Sequence, residues 1–294
     1  MKILVIGGTR FIGAHAVRRL AHTGNDVTVF HRGEHAGALP STVKHLQDPS
    51  AALPVVTIPE ALRRLKPEIV LHMIAMGEAD TLAAVSAFTG IARRLVLISS
   101  GDVYRAYAIF RRLDAGPPVP TPILEEAELR RELFPYRTAE TPRDSLEFYY
   151  EKILAERAAM SDTSLPWTIL RLPKVYGREQ NADLATVYGF RHQPQWRWTY
   201  AHVENVAAAI ALAVEDERAA NRIYNVGEET TPSMGERLQQ LPAQPNIELI
   251  GKPANFAQDL VLDTSRIRRE LGYAEVIDES TAMAELGTSL QRLP

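Results

Sequence analysis

The chain has 294 residues, carries a formal net charge of −3 and contains no cysteine. Apolar residues make up 46% and charged residues 23%, which is typical of a globular protein rather than a disordered one. The slight acidic excess argues against a protein that mainly binds nucleic acid. The lack of cysteine excludes disulfides, thiolate catalysis and cysteine-bound metals, and favours a reducing compartment. We therefore expect a cytoplasmic protein without a nucleic-acid partner.

The N-terminal residues have the pattern of a buried strand followed by a glycine turn, not that of a signal peptide. No stretch of the chain approaches the roughly 20 apolar residues that a membrane-spanning helix needs. We therefore expect no membrane partner. The eight histidines are scattered and no carboxylate cluster accompanies them, so the sequence predicts no metal site.

Strand and helix patterns alternate along the first hundred residues. Apolar runs predict strands at residues 3–6, 27–30, 43–46, 69–74 and 95–98, and helical spacing predicts helices at 11–21, 58–65 and 80–88. Such alternation is typical of an α/β fold, a doubly wound parallel sheet of Rossmann type with helices on both faces.

The alternation is interrupted by a proline-rich segment at 116–122, within an irregular stretch that we expect to form a binding loop or lid. The pattern then predicts helices at 145–160, 204–214 and 265–271 and strands at 167–170 and 222–226. We expect residues 1–171 to form a dinucleotide-binding core. We expect residues 172–294 to form a small C-terminal substrate lobe together with returning strands and helices of the core.

Residues 7–13, with the sequence GGTRFIG, lie between the first strand and the first helix. At this place backbone N–H groups and the helix N-terminus can face a dinucleotide pyrophosphate, and glycine lets the phosphates come close. The alternative is a tight turn that uses glycine for steric reasons only. The predicted cofactor contacts are Gly7, Thr9, Arg10, Phe11, Ile12 and Gly13. Arg10 stands where glycine would be expected, and a negative φ there would leave the turn intact.

The second strand ends in Phe30-His31-Arg32-Gly33. An NAD site usually carries Asp or Glu near this point to bind the ribose 2′-OH, whereas this chain has His31 and Arg32. Arg10 and Arg32 together suit a 2′-phosphate. The sequence therefore predicts NADP(H) rather than NAD(H) as the cofactor, the alternative being that Arg32 is a solvated turn residue.

Trp196-Arg197-Trp198 is an unusual run of two indoles around a guanidinium. It suits stacking on a ring and pairing with a phosphate or carboxylate. Packing of both tryptophans in the core is the alternative interpretation.

Five short segments, in this order, resemble the extended short-chain dehydrogenase/reductases, also called the NAD-dependent epimerase/dehydratase family. They are the glycine turn and residues 97–104, 171–177, 200–207 and 224–227. Arg10 in the turn resembles atypical members of that family, which include chloroplast stem-loop-binding proteins. The resemblance covers nearly the whole chain.

The resemblance implies a small-molecule substrate, namely a nucleotide sugar or similar polar metabolite that is oxidised, reduced, epimerised or dehydrated. It implies that Ser100 is the catalytic hydroxyl after the fifth strand and that Lys152 is the catalytic lysine, which also binds the nicotinamide ribose. Further cofactor contacts are implied at Ala75, Pro173 and Val175. The family often dimerises through two helices, which correspond to residues 80–88 and 145–160 and imply a homodimer.

The catalytic helix departs from the family, which carries Tyr-x-x-x-Lys, because Phe148 stands four residues before Lys152. On a continuous helix Tyr149 would lie about 100° and Tyr150 about 200° round from that position. Three interpretations stay open. Tyr149 acts as a shifted acid/base, or the site has lost hydride chemistry, or another group transfers the proton, namely Ser100, Asp102, Tyr104 or Tyr176.

If the site has lost hydride chemistry, the protein would have a different function. The chain would then be a non-catalytic NADP-binding sensor or an RNA-associated module. The substitution at Phe148 favours this alternative, and the acidic net charge counts against its RNA form.

Overall fold

The computed structural model describes residues 1–33, 39–243 and 254–290, with the backbone alone at 287–290. The chain divides into two compact units, each built from separate stretches. The first unit comprises Met1–Ser100, Glu132–Arg171 and Ala207–Tyr224. The second comprises Gly101–Arg131, Leu172–Val206 and Asn225–Pro294.

Nine strands and eleven α-helices occur within the described residues. The strands are β1 (Lys2–Ile6), β2 (Asp26–His31), β3 (Lys44–Gln47), β4 (Ile69–His72), β5 (Arg94–Ser100), β6 (Trp167–Leu172), β7 (Lys174–Tyr176), β8 (Tyr200–His202) and β9 (Arg222–Asn225). The helices are α1 (Phe11–His22), α2 (Glu60–Arg64), α3 (Glu78–Phe88), α4 (Arg105–Phe110), α5 (Leu146–Tyr149), α6 (Lys152–Ala159), α7 (Ala185–Gly189), α8 (Val203–Glu215), α9 (Met234–Gln239), α10 (Ser265–Leu271) and α11 (Glu279–Leu290). Among these helices none combines the length and the apolar character that crossing a membrane requires.

The seven-stranded sheet has the order β3-β2-β1-β4-β5-β6-β9. Strand β1 pairs in parallel with both β2 and β4, so the strand order reverses at β1. Val5, Leu71 and Val96 in the central strands are fully buried, as expected for strands covered on both faces. These observations confirm the predicted doubly wound α/β fold. Ligands of such sheets bind outside the carboxyl ends of the strands at the point of reversal.

The second unit contains the parallel pair β7 and β8 and a cluster of aromatic rings. Trp196 stacks on Phe110 with ring centroids 4.7 Å apart, and its indole N–H donates to the carbonyl of Gln258 at 2.7 Å. Trp196 is therefore a core residue. The Trp198 ring is only partly buried and stands edge-on to Tyr200.

The prediction of one helix over residues 145–160 is wrong, because α5 ends at Tyr149 and α6 begins at Lys152. Between them, Tyr150 has a ψ of 109° and Glu151 has a φ of −153°. The Glu151 carboxylate caps α6 by accepting a hydrogen bond from the Ile153 N–H at 2.9 Å. The angles estimated for a continuous helix therefore do not apply to Tyr149 and Tyr150.

A buried ion pair fixes α6 to the sheet. The guanidinium of Arg171 on β6 donates two hydrogen bonds to the Glu156 carboxylate, at 2.6 and 2.9 Å. Both side chains are almost completely buried, and the Ser99 hydroxyl of β5 donates to the same carboxylate at 2.5 Å. Such a pair is costly to break, because the remaining charge stays buried without compensation.

We expect Arg171→Met to lower the free energy of unfolding by about 3–5 kcal/mol, since Glu156 would keep a buried charge. Urea denaturation monitored by circular dichroism measures this loss. Lys44→Met is the matched control, because it breaks an exposed ion pair with Asp26 and should cost below about 1 kcal/mol. Equal losses in the two variants would contradict the proposed role of the buried pair.

Candidate functional site

The glycine turn is a closely packed backbone cradle in the first unit. Gly7 and Gly8 have φ values of 87° and 97°, in the region that favours glycine. A Cβ on Gly13 would lie 2.4 Å from the Cα of Gly8, so only glycine fits there. No side chain caps α1 and its first turn has no acidic residue, which leaves the first N–H groups for an anion. These residues fit a dinucleotide pyrophosphate.

Arg10 has a φ of −130°, which is the negative value that the turn requires of a residue other than glycine. Its side chain is exposed. The positive φ falls instead on Phe11, at 37°. A non-glycine residue in this region is strained, and such strain concentrates at ligand-binding turns. Sequence patterns gave no signal for this strain at Phe11.

The carboxyl end of β2 presents an imidazole and a guanidinium. The His31 Nε2 lies 3.0 Å from Nδ1 of His45 on β3. Burial and the neighbouring His45 lower the pKa of His31, which favours its neutral form. Arg32 follows and is partly exposed. Residues 34–38 lie outside the described part of the chain.

The loop after β4 is held by a buried carboxylate. Asp80 of α3 accepts hydrogen bonds from the N–H groups of Met76 and Gly77, at 2.6 and 2.9 Å. Burial lowers the pKa of His72, the last residue of β4, to about 4, so its ring is neutral. Ala75 in this loop is fully buried, and its position is fixed by the neighbouring hydrogen bonds.

Lys152 places its ammonium group between the carboxyl ends of β4 and β5. Its Nζ donates to the carbonyl of Ala75 at 2.5 Å and to that of Ile98 at 3.0 Å. Ser100 is the last residue of β5 and is partly exposed. Because Ser99 faces Glu156 and side chains alternate along a strand, Ser100 faces the opposite side of the sheet. Lys152 and Ser100 thus lie at the ligand-binding edge of the sheet.

Phe148, which occupies the position of the family tyrosine, has a structural role. The Arg137 guanidinium lies 4.0 Å from the Phe148 ring centroid and 3.6 Å from that of Phe134. It also donates a hydrogen bond to the Phe148 carbonyl at 3.0 Å. Phe148 therefore fixes the irregular chain before α5.

The two tyrosines next to Phe148 lie in different surroundings. Tyr149 ends α5, is 38% exposed and contacts the Phe148 ring at its edge. Tyr150 lies in the break between the helices, with its ring centroid 5.5 Å from the Nζ of Lys152. The structure thus brings Tyr150 next to Lys152.

The other hydroxyl candidates, Tyr104 and Tyr176, lie in the second unit and are fully buried. The Tyr104 hydroxyl donates to the Oδ1 of Asn225 at 2.6 Å. Burial raises the pKa of Tyr176 far above its usual value, which disfavours ionisation. Asp102 is nearly buried in a short 3₁₀ helix, Gly101–Val103. The burial of Tyr104 and Tyr176 therefore favours a packing role for both side chains over a role in proton exchange.

Lys174 on β7 is a candidate that the sequence analysis missed. Its ammonium lies 5.9 Å from the Trp198 ring centroid and makes no hydrogen bond or ion pair with any described residue. Burial lowers the pKa of Lys174, an effect that Asp183 partly opposes. Pro173 beside it is partly exposed, and Val175 is buried. A half-buried cation that makes no direct ion pair with a described residue is a candidate anion-binding group.

We expect Gly13→Ala to weaken NAD(P)H binding by at least about tenfold, because the new Cβ would push open the turn that we expect to bind the pyrophosphate. Fluorescence titration of NADPH measures the affinity. Gly24→Ala is the control, since a Cβ there meets nothing within 4 Å and only its positive φ is strained. Similar loss of affinity in both variants would mean that the turn has no specific role.

Comparison with known proteins agrees with this geometry. The family model described as NAD dependent epimerase/dehydratase family matches residues 3–227. The 2′-dehydrokanamycin reductase of Streptomyces kanamyceticus is 24% identical over an alignment of 302 positions including gaps, which covers 95% of this chain and 77% of the relative.

Solved structures share the fold at low identity. The UDP-glucose 4-epimerase of Thermotoga maritima, solved with UDP-glucose, has a TM-score of 0.68 at 17% identity over 99% of both chains. The UDP-glucuronic acid 4-epimerase of Bacillus cereus, solved with UDP-glucuronic acid and NAD, has a TM-score of 0.69 at 16% identity, over 99% of this chain and 100% of that one. Since the family model spans well over half of the sequence, the chain belongs to the NAD-dependent epimerase/dehydratase family and is an enzyme of that type.

Proposed function

We propose that this protein is an NADP(H)-dependent enzyme that oxidises, reduces or epimerises a carbon of a nucleotide sugar. The observation that carries the proposal is the Lys152 ammonium, fixed at the edge of the sheet on which the glycine cradle also lies. The dinucleotide, when bound, supplies or accepts the hydride. A sheet edge that combines a pyrophosphate cradle with a fixed cation and a serine suits this chemistry.

Each residue at this edge has a proposed task. The backbone of the glycine turn binds the pyrophosphate, and Lys152 binds the nicotinamide ribose. Ser100 donates a hydrogen bond to the substrate oxygen at the reacting carbon, which favours negative charge there. The family resemblance adds cofactor contacts from Ala75, Pro173 and Val175. A homodimer through α3 and the α5–α6 segment is part of the same resemblance.

The preference for NADP(H) is supported by the end of β2, where His31 and Arg32 stand in place of a carboxylate. Arg10 adds a second guanidinium on the glycine turn. Arginine pairs with phosphate oxygens through two N–H groups, which suits a 2′-phosphate. The competing candidate is NAD, which the Bacillus cereus neighbour binds.

Lys174 and Trp198 support an anionic substrate with a ring. The indole ring offers a surface for a sugar ring, and the ammonium group beside it makes no direct ion pair with any described residue. The diphosphate of a nucleotide sugar would supply a direct anionic partner.

A second candidate function is the reduction of an amino-sugar ketone. The 24% identical relative, named 2′-dehydrokanamycin reductase, favours it. The two candidates differ in cofactor balance, because epimerisation returns the cofactor to its starting state whereas reduction consumes one reduced cofactor per product.

Incubation with UDP-glucose or UDP-glucuronic acid and NADP(H) tests the function, with proton NMR of the sugar and absorbance at 340 nm as readouts. We expect conversion of a nucleotide sugar, and the absorbance distinguishes epimerisation from net reduction. If neither nucleotide sugars nor a panel of ketones react although NADPH binds, the enzymatic proposal is wrong.

Arg32→Ala should weaken NADPH binding by about tenfold or more and leave NADH binding nearly unchanged, since a lost charge-assisted hydrogen bond costs about 1.5–3 kcal/mol. Fluorescence titration with both cofactors measures this. Arg218→Ala, at an exposed pair with Asp216, is the control. Tighter binding of NADH than NADPH by the unaltered protein would contradict the preference.

Lys174→Gln should weaken the binding of UDP-glucose by about tenfold, because the amide keeps the size but loses the charge that pairs with phosphate. Isothermal titration with the cofactor present measures this, and Lys44→Gln serves as the exposed-lysine control. Unchanged affinity in Lys174→Gln would remove Lys174 from the substrate site.

A further inference from the structure

The contact between Tyr150 and Lys152 depends on the break between α5 and α6. In a continuous helix, two residues that are two positions apart are separated by a rotation of about 200° around the helix axis. Their side chains lie on nearly opposite sides of the helix and do not meet. Here the chain leaves the helix at Tyr150, and the Tyr150 ring centroid lies 5.5 Å from the Lys152 Nζ. The broken helix thus brings together Tyr150 and Lys152, which a continuous helix would keep apart.

The break is imposed by contacts with the loop after β4. The Glu151 N–H donates to the Met76 carbonyl at 2.7 Å. A Cβ on Gly77 would lie 2.9 Å from the Tyr149 carbonyl, so the two backbones touch there. The buried Glu151 carboxylate binds the N–H groups of Ile153 and Phe134. The bond to Met76 takes the place of the helical bond that the Glu151 N–H gives up.

The Tyr150 ring is held from a second side. Tyr136 packs against it edge to face, with centroids 5.1 Å apart and planes at 72°. Tyr136 lies in the irregular segment that Arg137 fixes through Phe134 and Phe148. Tyr150 is therefore partly buried and held between a ring and a cation, whereas Tyr149 is 38% exposed.

We propose that Tyr150 is the proton-exchanging residue of this enzyme, in place of the tyrosine that the family carries at the position of Phe148. The inference rests on the proposed function. In the reducing direction the carbonyl carbon gains a hydride from the reduced dinucleotide, and the Tyr150 phenol gives its proton to the carbonyl oxygen. The C=O group becomes CH–OH and a tyrosinate is left beside the Lys152 ammonium, which stabilises it. Oxidation of the hydroxyl runs the same transfers in reverse.

Single-hydroxyl variants test the assignment on the substrate that the unaltered enzyme converts. Tyr150→Phe should lower kcat by about 100-fold or more, since general acid–base catalysis contributes at least that much. NADPH affinity should stay unchanged, because only the hydroxyl is lost. Tyr149→Phe, the rival assignment, should keep most of kcat. The opposite pattern, or full activity in Tyr150→Phe, overturns the proposal.

The double variant Phe148→Tyr with Tyr150→Phe tests the register. It restores the family's sequence spacing, but the Phe148 ring packs against the Arg137 guanidinium, whereas it is Tyr150 that lies beside Lys152. We therefore expect no recovery of kcat relative to Tyr150→Phe. Recovery to near the original rate would show that position 148 still faces the reacting carbon, and would overturn the proposal.

A measurement that needs no turnover separates this inference from the proposed function. Tyrosinate absorbance near 295 nm should show one phenol that ionises at lower pH than the others in the cofactor-free protein. Tyr150→Phe should remove that phenol and Lys152→Met should shift it to higher pH, while Tyr149→Phe should leave it in place. If no early phenol exists, or Tyr149→Phe removes it, the proposal is wrong even for an active enzyme.

Discussion

The site is organised by one buried ammonium group. A charge removed from water must be matched by hydrogen-bond acceptors, and the Lys152 Nζ finds them in the carbonyls of Ala75 and Ile98. These two bonds join the N-terminal residue of α6 to the carboxyl ends of β4 and β5. The cation thereby lies at the carboxyl edge of the sheet, the edge at which α/β sheets generally bind ligands.

The rest of the first unit keeps that ammonium in place. Glu151 caps α6 at its start, and Glu156 ties its middle to Arg171. The placement of Lys152 therefore does not depend on a continuous helix through position 148. The Phe148 ring packs against the Arg137 guanidinium, and the break between the helices places Tyr150 beside the Lys152 ammonium.

Local patterns sufficed to predict the central strands and the glycine turn, because apolar runs and glycine spacing can be recognised within short segments, whereas Lys152 was singled out through the family resemblance. The helix break could not be predicted this way. It arises where Glu151 bonds to Met76, a contact between distant parts of the chain. The short strands β7 and β8 and the position of Lys174 beside Trp198 also escaped prediction, because each depends on neighbours far along the chain.

A crystal structure of the enzyme with NADPH and a bound nucleotide sugar tests the central claim most directly. The quantity to measure is the distance from each tyrosine hydroxyl to the sugar oxygen at the reacting carbon. We expect the Tyr150 hydroxyl to lie within hydrogen-bond reach of that oxygen, roughly 2.6–3.2 Å, with Lys152 beside it. A substrate oxygen bound by Tyr149, or one that no tyrosine reaches, would contradict it.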